Sequence, residues 1–431
     1  MQIHIYPSTQ ATQKVRQISR RSIDFRKEDI QTVESILNNV KTKGDQALID
    51  YTRRFDAPNL AIEAIKVTQE EIDQAVKEVD QAFRKTLNRA VSQIESFHRQ
   101  QMPKSWIDTR RKGTCLGQMV NPVDAAGIYV PGATGGKTPL VSTVLMGAIP
   151  AKIAGVKRIA LITPPTREGK INAHILAAAK AVGVHAIYKA GSAWGIAALA
   201  YGTETIPKVD VIVGPGNIYV TLAKKMVAGM VGIDMIAGPS EILVLADQSA
   251  NPEFVAADLL SQAEHDPLAS SILVTTSKEL AQAVLNALEN QLKGLVRKEI
   301  ATKSLDDFGA IFSVDHMDVA IELANQFAPE HLELCVENPF EFVGRIRNAG
   351  AVFMGNYTPE PMGDYMAGPN HVLPTAGTAR FSSALSVEHF IKKTSLIYYS
   401  KSAFKNEAAD VARLADIEGL GAHANAVRIR R

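Results

Sequence analysis

The sequence predicts an α/β protein with two α/β regions and helical segments at both ends. Between residues 126 and 246, short apolar runs alternate with Ala-rich helical stretches, a rhythm typical of a parallel sheet with covering helices. A second α/β stretch follows, and the chain up to about residue 105 shows the apolar spacing of three and four that indicates helices. At 431 residues, 46% of them apolar, the chain can form two or three domains with a large core.

Each predicted element rests on a local pattern in the sequence. Short runs of apolar and β-branched residues bounded by turn residues predict strands at 128–130, 158–163, 185–190, 209–213, 242–246, 271–275 and 310–314. Helical spacing predicts helices at 27–55, 68–100, 172–183, 193–202, 252–264, 278–293 and 315–327. The chain from about residue 385 is mixed and ends in a helical stretch.

Composition narrows the classes of protein to be considered. The formal net charge of +2 argues against a dedicated nucleic-acid surface, and the short basic runs at 110–112 and 428–431 are interpreted as solvated surface. Cys115 and Cys335 lack CxxC spacing, which fits a reducing compartment and excludes a thiolate zinc cage. Because neither a signal-peptide core nor a run of about 18 apolar residues is found, we expect a cytoplasmic protein without a membrane span.

The stretch GIYVPGATGGKTPL, residues 127–140, resembles a phosphate-binding loop of nucleotide hydrolases. That motif requires a Gly five positions before its Gly-Lys-Thr, where this chain has Pro131, and Gly132 comes one residue too late. The alternative is a strand-to-helix turn with Thr138 as N-cap and Pro139 at the first helical position. The loop alone does not decide between the two.

Two glycine motifs of the middle region fall short of a dinucleotide fingerprint. GPGN at 214–217 lacks the third Gly, and GSAWG at 191–195 has the wrong spacing. A nucleotide that binds in this region therefore binds without the usual phosphate turn.

The segment 251–267 carries a first pair of side chains suited to metal binding. Gln262 and His265, three residues apart at the polar side of the predicted helix, can point at the same spot. Imidazole is a standard zinc ligand, whereas a Gln carbonyl is unusual. A solvated helix face explains the same pattern, so the pair alone is a weak signal.

Three later segments each pair a carboxylate with an imidazole. These pairs are Glu330 with His331 where a strand begins, Asp364 with His371 in a loop with three helix breakers, and Glu418 with His423 near the chain end. A surface accident explains the first pair equally well, the helix breakers around the second pair favour a functional loop, and a plain tail is the better explanation of the third. Together with the first pair they supply oxygen and nitrogen ligands for a divalent metal, with acid/base groups beside it.

Longer motifs in this sequence closely resemble those of the histidinol dehydrogenase family. In chain order they are GPGNIYVTLAKK, AGPSEILVLAD, LLSQAEHDP, APEHLE, GDYMAGPNHVLPT and RFSSALSVEHFIKKTS. The chain is identified by them as a member of that family from about residue 25 to 425. The resemblance implies a zinc-dependent, NAD-linked oxidation of L-histidinol through L-histidinal to L-histidine, the last step of histidine biosynthesis.

The resemblance also implies an architecture of two incomplete Rossmann-like α/β domains, similar to aldehyde dehydrogenases. After a tail at 1–25, the first domain comprises 26–127 and 244–384, and the second, on the NAD side, comprises 128–243. The C-terminal tail, 385–431, is expected to complete the active site of the partner in a domain-swapped homodimer. An incomplete Rossmann domain accounts for the missing glycine fingerprint.

Roles for single residues follow from the same resemblance. One zinc ion per subunit is expected on Gln262, His265, Asp364 and His423. Catalysis is expected from Glu330 and His331. Contacts to the substrate are expected from Ser240, Gln262, His265, His331, Asp364, His371, Glu418 and His423. Contacts to NAD are expected from Tyr129 and Asn217.

Two features depart from the family pattern. Trp194 stands where the family has Gln, so an NAD contact there must be stacking or packing, and Trp194 is left out of the site. The loop 132–138 is longer than the VPGG turn of the family and is interpreted as an enlarged cofactor-side turn.

Two rival functions stay open. One is a zinc hydrolase in which Glu330 activates a metal-bound water, and the other is a non-catalytic nucleotide-binding module.

Overall fold

The computed structural model describes residues 1–20, 25–132 and 139–431, and it confirms the α/β class. The predicted turn at 132–138 lies, from residue 133 onward and including the proposed cap Thr138, outside the described residues. The chain forms two compact units. The first comprises Met1–Gln101 and Asp124–Phe390, and the second comprises Met102–Val123 and Ile391–Arg431.

The strands are numbered along the chain. They are β1 (Ile3–Ile5), β2 (Trp106–Asp108), β3 (Thr114–Pro122), β4 (Ala125–Tyr129), β5 (Arg158–Thr163), β6 (Ala186–Lys189), β7 (Val211–Val213), β8 (Gly232–Ile233), β9 (Glu241–Ala246), β10 (Ser270–Thr275), β11 (Ala310–Ser313), β12 (His331–Cys335), β13 (Ala351–Met354) and β14 (Ile391–Tyr399).

The helices are numbered in the same way. They are α1 (Thr9–Ser19), α2 (Lys27–Phe55), α3 (Gln69–Glu78), α4 (Gln81–Arg99), α5 (Val141–Ala154), α6 (Ala173–Ala181), α7 (Ser192–Tyr201), α8 (Ile218–Val227), α9 (Pro252–Ala263), α10 (Lys278–Leu292), α11 (Lys298–Phe308), α12 (Met317–Phe327), α13 (Phe340–Val343), α14 (Glu360–Met362), α15 (Lys401–Ile417) and α16 (Gly421–Arg428).

The predicted strands and most predicted helices are present close to their expected bounds, and the differences have local causes. The stretch 68–100 forms two helices, α3 and α4, because the side chain of Asp80 caps a new helix. The helix expected from Pro139 begins instead at Val141, since Leu140 before it has non-helical backbone angles. Strand β1 was not predicted, because three residues are too few to show a period.

A five-stranded parallel sheet forms one layer of the first unit, with strand order β6-β5-β4-β7-β8. Strand β4 pairs with β5 along all five of its residues and with β7 along three, and every residue of β4 is buried, as expected for a strand covered on both faces. The order runs outward from β4 to β5 and β6 on one side and to β7 and β8 on the other. This reversal between β4 and β7 opens a crevice at the carboxyl ends of the strands, which is where open α/β sheets bind ligands.

A six-stranded parallel sheet forms the other layer, with strand order β1-β11-β10-β9-β12-β13. Helix α9 packs its apolar residues Ala256, Leu259, Leu260 and Ala263 into the core beside this sheet, as its spacing predicted. Strands β9 and β12 are neighbours, and His331 is in register with Ile242. The amino ends of β9 and β12 therefore lie side by side.

The second unit is built around an antiparallel sheet of order β14-β3-β2. Strands β3 and β14 pair over nine residues each, and α15 and α16 follow with a small apolar cluster of alanines between them. Among the described residues, helices long and apolar enough to cross a membrane are not found.

Candidate active site and cofactor cavity

The imidazole of His331 is held at the amino end of β12, where its two nitrogens have different surroundings. Nδ1 lies 2.9 Å from the backbone oxygen of Glu241, the first residue of β9. Because a carbonyl oxygen only accepts, the proton of the neutral ring sits on Nδ1 and Nε2 keeps its lone pair. His331 is 3% exposed, and its Nε2 has no hydrogen-bond partner among the described residues. Burial lowers the pKa of His331, so the ring is a neutral base with one available nitrogen.

The carboxyl group of Glu330 is clamped by the same residue of β9. Its Oε2 accepts the backbone N–H of Glu241 at 2.9 Å and lies 3.7 Å from Nδ1 of His331. Burial raises the pKa of Glu330 well above its ordinary value, and the nearby carboxylates of Asp364 and Glu360 add to this while the N–H opposes it. One backbone unit, Glu241, therefore positions both members of the predicted acid/base pair.

Asp364 approaches this pair from the π-helical turn Gly363–Ala367. His331, Glu360 and Asp364 each offer a ligand atom, and these atoms all lie within 4.8 Å of one another. Burial and the adjacent Glu360 raise the pKa of Asp364 to about 8. Oδ2 of Asp364 is 3.8 Å from Nδ1 of His371, the other titratable group predicted for this loop. The structure thus brings Asp364 and His371 together with the pair on β12.

Two further carboxyl groups of this region were not singled out from the sequence. Glu333 lies on the same face of β12 as His331, and its Oε1 accepts the backbone N–H of Glu360 at 2.9 Å. Burial and the neighbouring Asp258 raise the pKa of Glu333 to about 9. The period of two along β12 was the signal for Glu333, and the position of Glu360 four residues before Asp364 was the signal for Glu360. These carboxyl groups support the turn that carries Asp364.

Gln262 lies in the last turn of α9, and His265 lies just after the helix. The helix ends at Ala263, one residue before the predicted bound, and the N–H of His265 donates to the backbone oxygen of Gln262 at 3.2 Å. Gln262 is 2% exposed, and its Oε1 is buried without a hydrogen-bond partner among the described residues. His265 is exposed, yet its charge contributes to lowering the pKa of His331, so the two imidazoles are neighbours.

The loop that follows Asp364 is tied to the rest of the first unit by polar side chains. Asn370 donates to the backbone oxygen of Met146 at 2.7 Å and accepts the N–H of Val372 at 3.0 Å. Burial, with the neighbouring His331, lowers the pKa of His371 to about 4. Ser240, which precedes β9, is half-buried and adjoins the Glu241 clamp. The hydrogen bond from Asn370 to Met146 therefore joins this loop to α5.

Glu418 and His423 belong to the second unit. Glu418 is the C-cap of α15, and His423 lies in α16. Both side chains are exposed. Within this unit they take no part in the apolar cluster of Ala412, Ala415 and Ala424.

A cavity of about 570 Å³ lies at the carboxyl ends of β4, β5 and β6, on the side where the strand order reverses. Tyr129, the last residue of β4, lines it and accepts the N–H of Ser192 on its hydroxyl oxygen at 3.1 Å. Asn217 lines the opposite side and caps α8 through its Oδ1, which accepts the N–H groups of Tyr219 and Val220. The cap uses only the amide oxygen, so the amide nitrogen of Asn217 is available to a ligand.

Trp194 also lines this cavity but is held by other aromatic rings. Its indole stacks against the rings of Tyr51 and Phe55, with centroids 5.8 Å and 5.4 Å away. Trp194 is 5% exposed, and its Nε1 has no hydrogen-bond partner among the described residues. These ring contacts and its burial indicate that Trp194 contributes packing to the cavity wall.

Comparison with known proteins identifies the family of this chain. The family model for histidinol dehydrogenase matches residues 19–431. Histidinol dehydrogenase of Desulfotalea psychrophila is 58% identical over 398 residues, 92% of each chain, and that of Carboxydothermus hydrogenoformans is 54% identical over 404 residues, 94% of each chain. The crystal structure of histidinol dehydrogenase from Elizabethkingia anophelis matches with a TM-score of 0.93 at 41% identity, covering 100% of this chain and 98% of that one. The chain therefore belongs to the histidinol dehydrogenase family and is an oxidoreductase.

Proposed function

We propose that this protein oxidises L-histidinol through L-histidinal to L-histidine, with zinc in the active site and one NAD consumed in each step. The observation that carries the proposal is the clamp of Glu241, which presents Glu330 and a free Nε2 of His331 side by side. A separate cavity at the strand-order reversal, lined by Tyr129 and Asn217, suits a nucleotide.

The donors around Asp364 fit a divalent metal with nitrogen and oxygen ligands. The Oε1 of Gln262 is buried without a partner, which is costly unless a cation or a donor satisfies it. A ligand set that included His331 would consume the lone pair that the Glu241 hydrogen bond keeps on Nε2. On the resemblance to the family, we propose that Gln262, His265 and Asp364 hold the metal, with His423 of the partner subunit as the fourth ligand. When bound, zinc would polarise and orient a substrate that carries its own imidazole and amine.

The chain's own residues account for the proton transfers. NAD, when bound, supplies the hydride acceptor in each oxidation. Nε2 of His331 takes the hydroxyl proton as the alcohol becomes an aldehyde, and Glu330 takes a proton from the water that adds to that aldehyde. Burial of both side chains keeps bulk water away, so the aldehyde is retained between the steps. One alcohol and one water thus lose four electrons in two hydride transfers.

The second unit motivates a shared active site. Glu418 and His423 are exposed on a pair of helices whose own apolar cluster is very small. A unit of this size needs a larger surface to dock on. We propose that it docks on a second copy of the chain, in a domain-swapped homodimer, and places both residues in the partner's site to bind substrate and metal. Ser240 and His371 complete the proposed substrate contacts, and a cytoplasmic location remains part of the same proposal.

The test is the appearance of NADH when purified, zinc-loaded protein is mixed with L-histidinol and NAD. Two equivalents of NADH per histidinol are expected, with histidine as product. A zinc hydrolase that uses Glu330 to activate water would give none, and neither would a nucleotide-binding module. Absence of NADH with zinc and NAD present would contradict the proposed function.

A further inference from the structure

The cofactor cavity contains a carboxylate that the proposed function does not use. Asp56, the residue that ends α2, lines the cavity together with Tyr129, Trp194 and Asn217. Among the described residues that line it, Asp56 is the only charged side chain. A half-buried carboxylate that lines a cavity is a candidate for binding a ligand.

The position of Asp56 is set by the carboxyl ends of two strands. A methyl group built on Gly191, which follows β6, would lie 3.3 Å from Oδ2 of Asp56 and 2.9 Å from Cβ of Pro164. Pro164 follows Thr163, the last residue of β5. In a Rossmann fold the strand after the first one is followed by an acidic residue that binds the ribose 2′-hydroxyl. Here β5 ends without an acid, and α2 places one at the same edge of the sheet.

On this side of the cavity, polar atoms of two side chains lack hydrogen bonds. Oδ2 of Asp56 and Nε1 of Trp194 are both buried without hydrogen-bond partners among the described residues. Burial raises the pKa of Asp56 to about 7, which reflects the cost of an ionised carboxylate there. A ligand hydroxyl that donates to the carboxylate would offset this cost.

We infer that Asp56 accepts a hydrogen bond from the 2′-hydroxyl of the adenosine ribose and thereby makes the cavity select NAD against 2′-phosphorylated NADP. The inference rests on the proposed NAD-linked function and names its selecting residue. A 2′-phosphate would lose this hydrogen bond and bring its negative charge against a carboxylate. The described lining residues include no cation that could compensate it.

The kinetic test compares NAD and NADP with histidinol as substrate in the holoenzyme. For Asp56→Asn we expect KM for NAD to rise up to roughly 10-fold, because a neutral amide oxygen replaces a charged acceptor, with kcat little changed. The preference for NAD over NADP in kcat/KM should fall by about 10-fold or more. Asp56→Glu keeps the charge but moves it, so this variant should bind NAD more weakly and continue to reject NADP. Asp50→Asn, on an exposed turn of α2, is the matched control and should change neither value.

A binding measurement separates this inference from the proposed function. Calorimetry with ADP-ribose and its 2′-phosphate needs no turnover, and wild type should bind the first and reject the second. If Asp56→Asn keeps the wild-type preference in both assays, Asp56 is not the selecting residue, although the NAD-linked function stands. If wild type forms no NADH from histidinol, the proposed function fails, while the binding preference still decides the role of Asp56.

Discussion

The two parallel sheets of the first unit form their sites in opposite ways. The five-stranded sheet opens its cavity at the carboxyl ends of β4 to β6, where the strand order reverses. The six-stranded sheet instead presents Glu330 and His331 at the amino ends of β9 and β12, held by hydrogen bonds to Glu241. Topology alone creates the first site, whereas the second depends on particular side chains and one backbone unit. Substitutions should therefore affect rate strongly at the second site and binding modestly at the first.

The largest effect is expected for His331→Asn at the six-stranded sheet. This change removes the base while keeping a side chain that can donate to Glu241, so kcat for histidinol should fall by roughly 10³- to 10⁴-fold. Steady-state rates with histidinol provide the measurement, and His316→Asn, an exposed position before α12, is the control. A variant with kcat near that of wild type would mean that another group accepts the proton.

Glu330→Gln should separate the two half-reactions. Oxidation of the alcohol should proceed, because Nε2 of His331 is unchanged, while turnover of added histidinal should slow by roughly 10²- to 10⁴-fold, the usual contribution of a general base. Single-turnover NADH formation from each substrate gives both rates. Wild-type turnover of histidinal by this variant would refute the role of Glu330 in activating water.

A mixing experiment tests whether the exposed tail completes a partner's site. His423→Ala and His265→Ala should each be nearly inactive, because each lacks a proposed metal ligand. After exchange of subunits, activity should recover to about a quarter of wild type, since half of the dimers are mixed and each has one intact site. No recovery, with subunit exchange confirmed by mass, would mean that the tail completes the site of its own chain.

These sites differ in how far the sequence could predict them. The spacing of Gln262 and His265 and the pairing of Glu330 with His331 were visible as residue types. The two hydrogen bonds that join Glu241 to Glu330 and His331 could not be predicted. They are formed by the backbone N–H and C=O of Glu241, which every residue type except proline offers.

The fold shows a similar limit. Buried parallel strands appear as continuous apolar runs, so the strands of the middle region were predicted. The nine-residue strand β14 was not, because it is largely exposed and includes Lys392 and Lys393. Trp194 was predicted to contribute stacking or packing at most, but its ring contacts with Tyr51 and Phe55 depend on α2, which is distant in sequence.

At the cofactor cavity, Trp194→Ala should act mainly through packing. Removing a buried indole that stacks against two aromatic rings should destabilise the protein by about 3–5 kcal/mol and raise KM for NAD only several-fold. Trp194→Phe keeps an aromatic ring and should restore most of the stability. Denaturant unfolding and NAD kinetics measure the two effects. Loss of NAD binding in Trp194→Phe would show instead that the indole N–H contacts the cofactor.

The smallest expected effect is a difference in pH dependence between the two sheets. The pKa of Asp56 is raised by burial from 3.8 to about 7, so the folded protein keeps a proton that the unfolded chain releases. The retained proton stabilises the folded state fully below about pH 4. This stabilisation is lost as the pH rises from about 4 to 7, and above that the free energy of unfolding no longer changes with the ionisation of Asp56.

The Tm of Asp56→Asn relative to that of wild type should therefore rise by about 2–5 °C as the pH is raised from 4.5 to 7.5, without added cofactor. Glu333→Gln should show the same sign over a window that extends further, because burial and Asp258 raise the pKa of Glu333 to about 9. Thermal unfolding scans across this pH range provide the measurement. The other titrating groups are common to the chains, but Asp258 hydrogen-bonds Glu333, so the Glu333→Gln difference also includes the response of Asp258. Parallel curves for Asp56→Asn and wild type would show that Asp56 ionises normally in the folded protein.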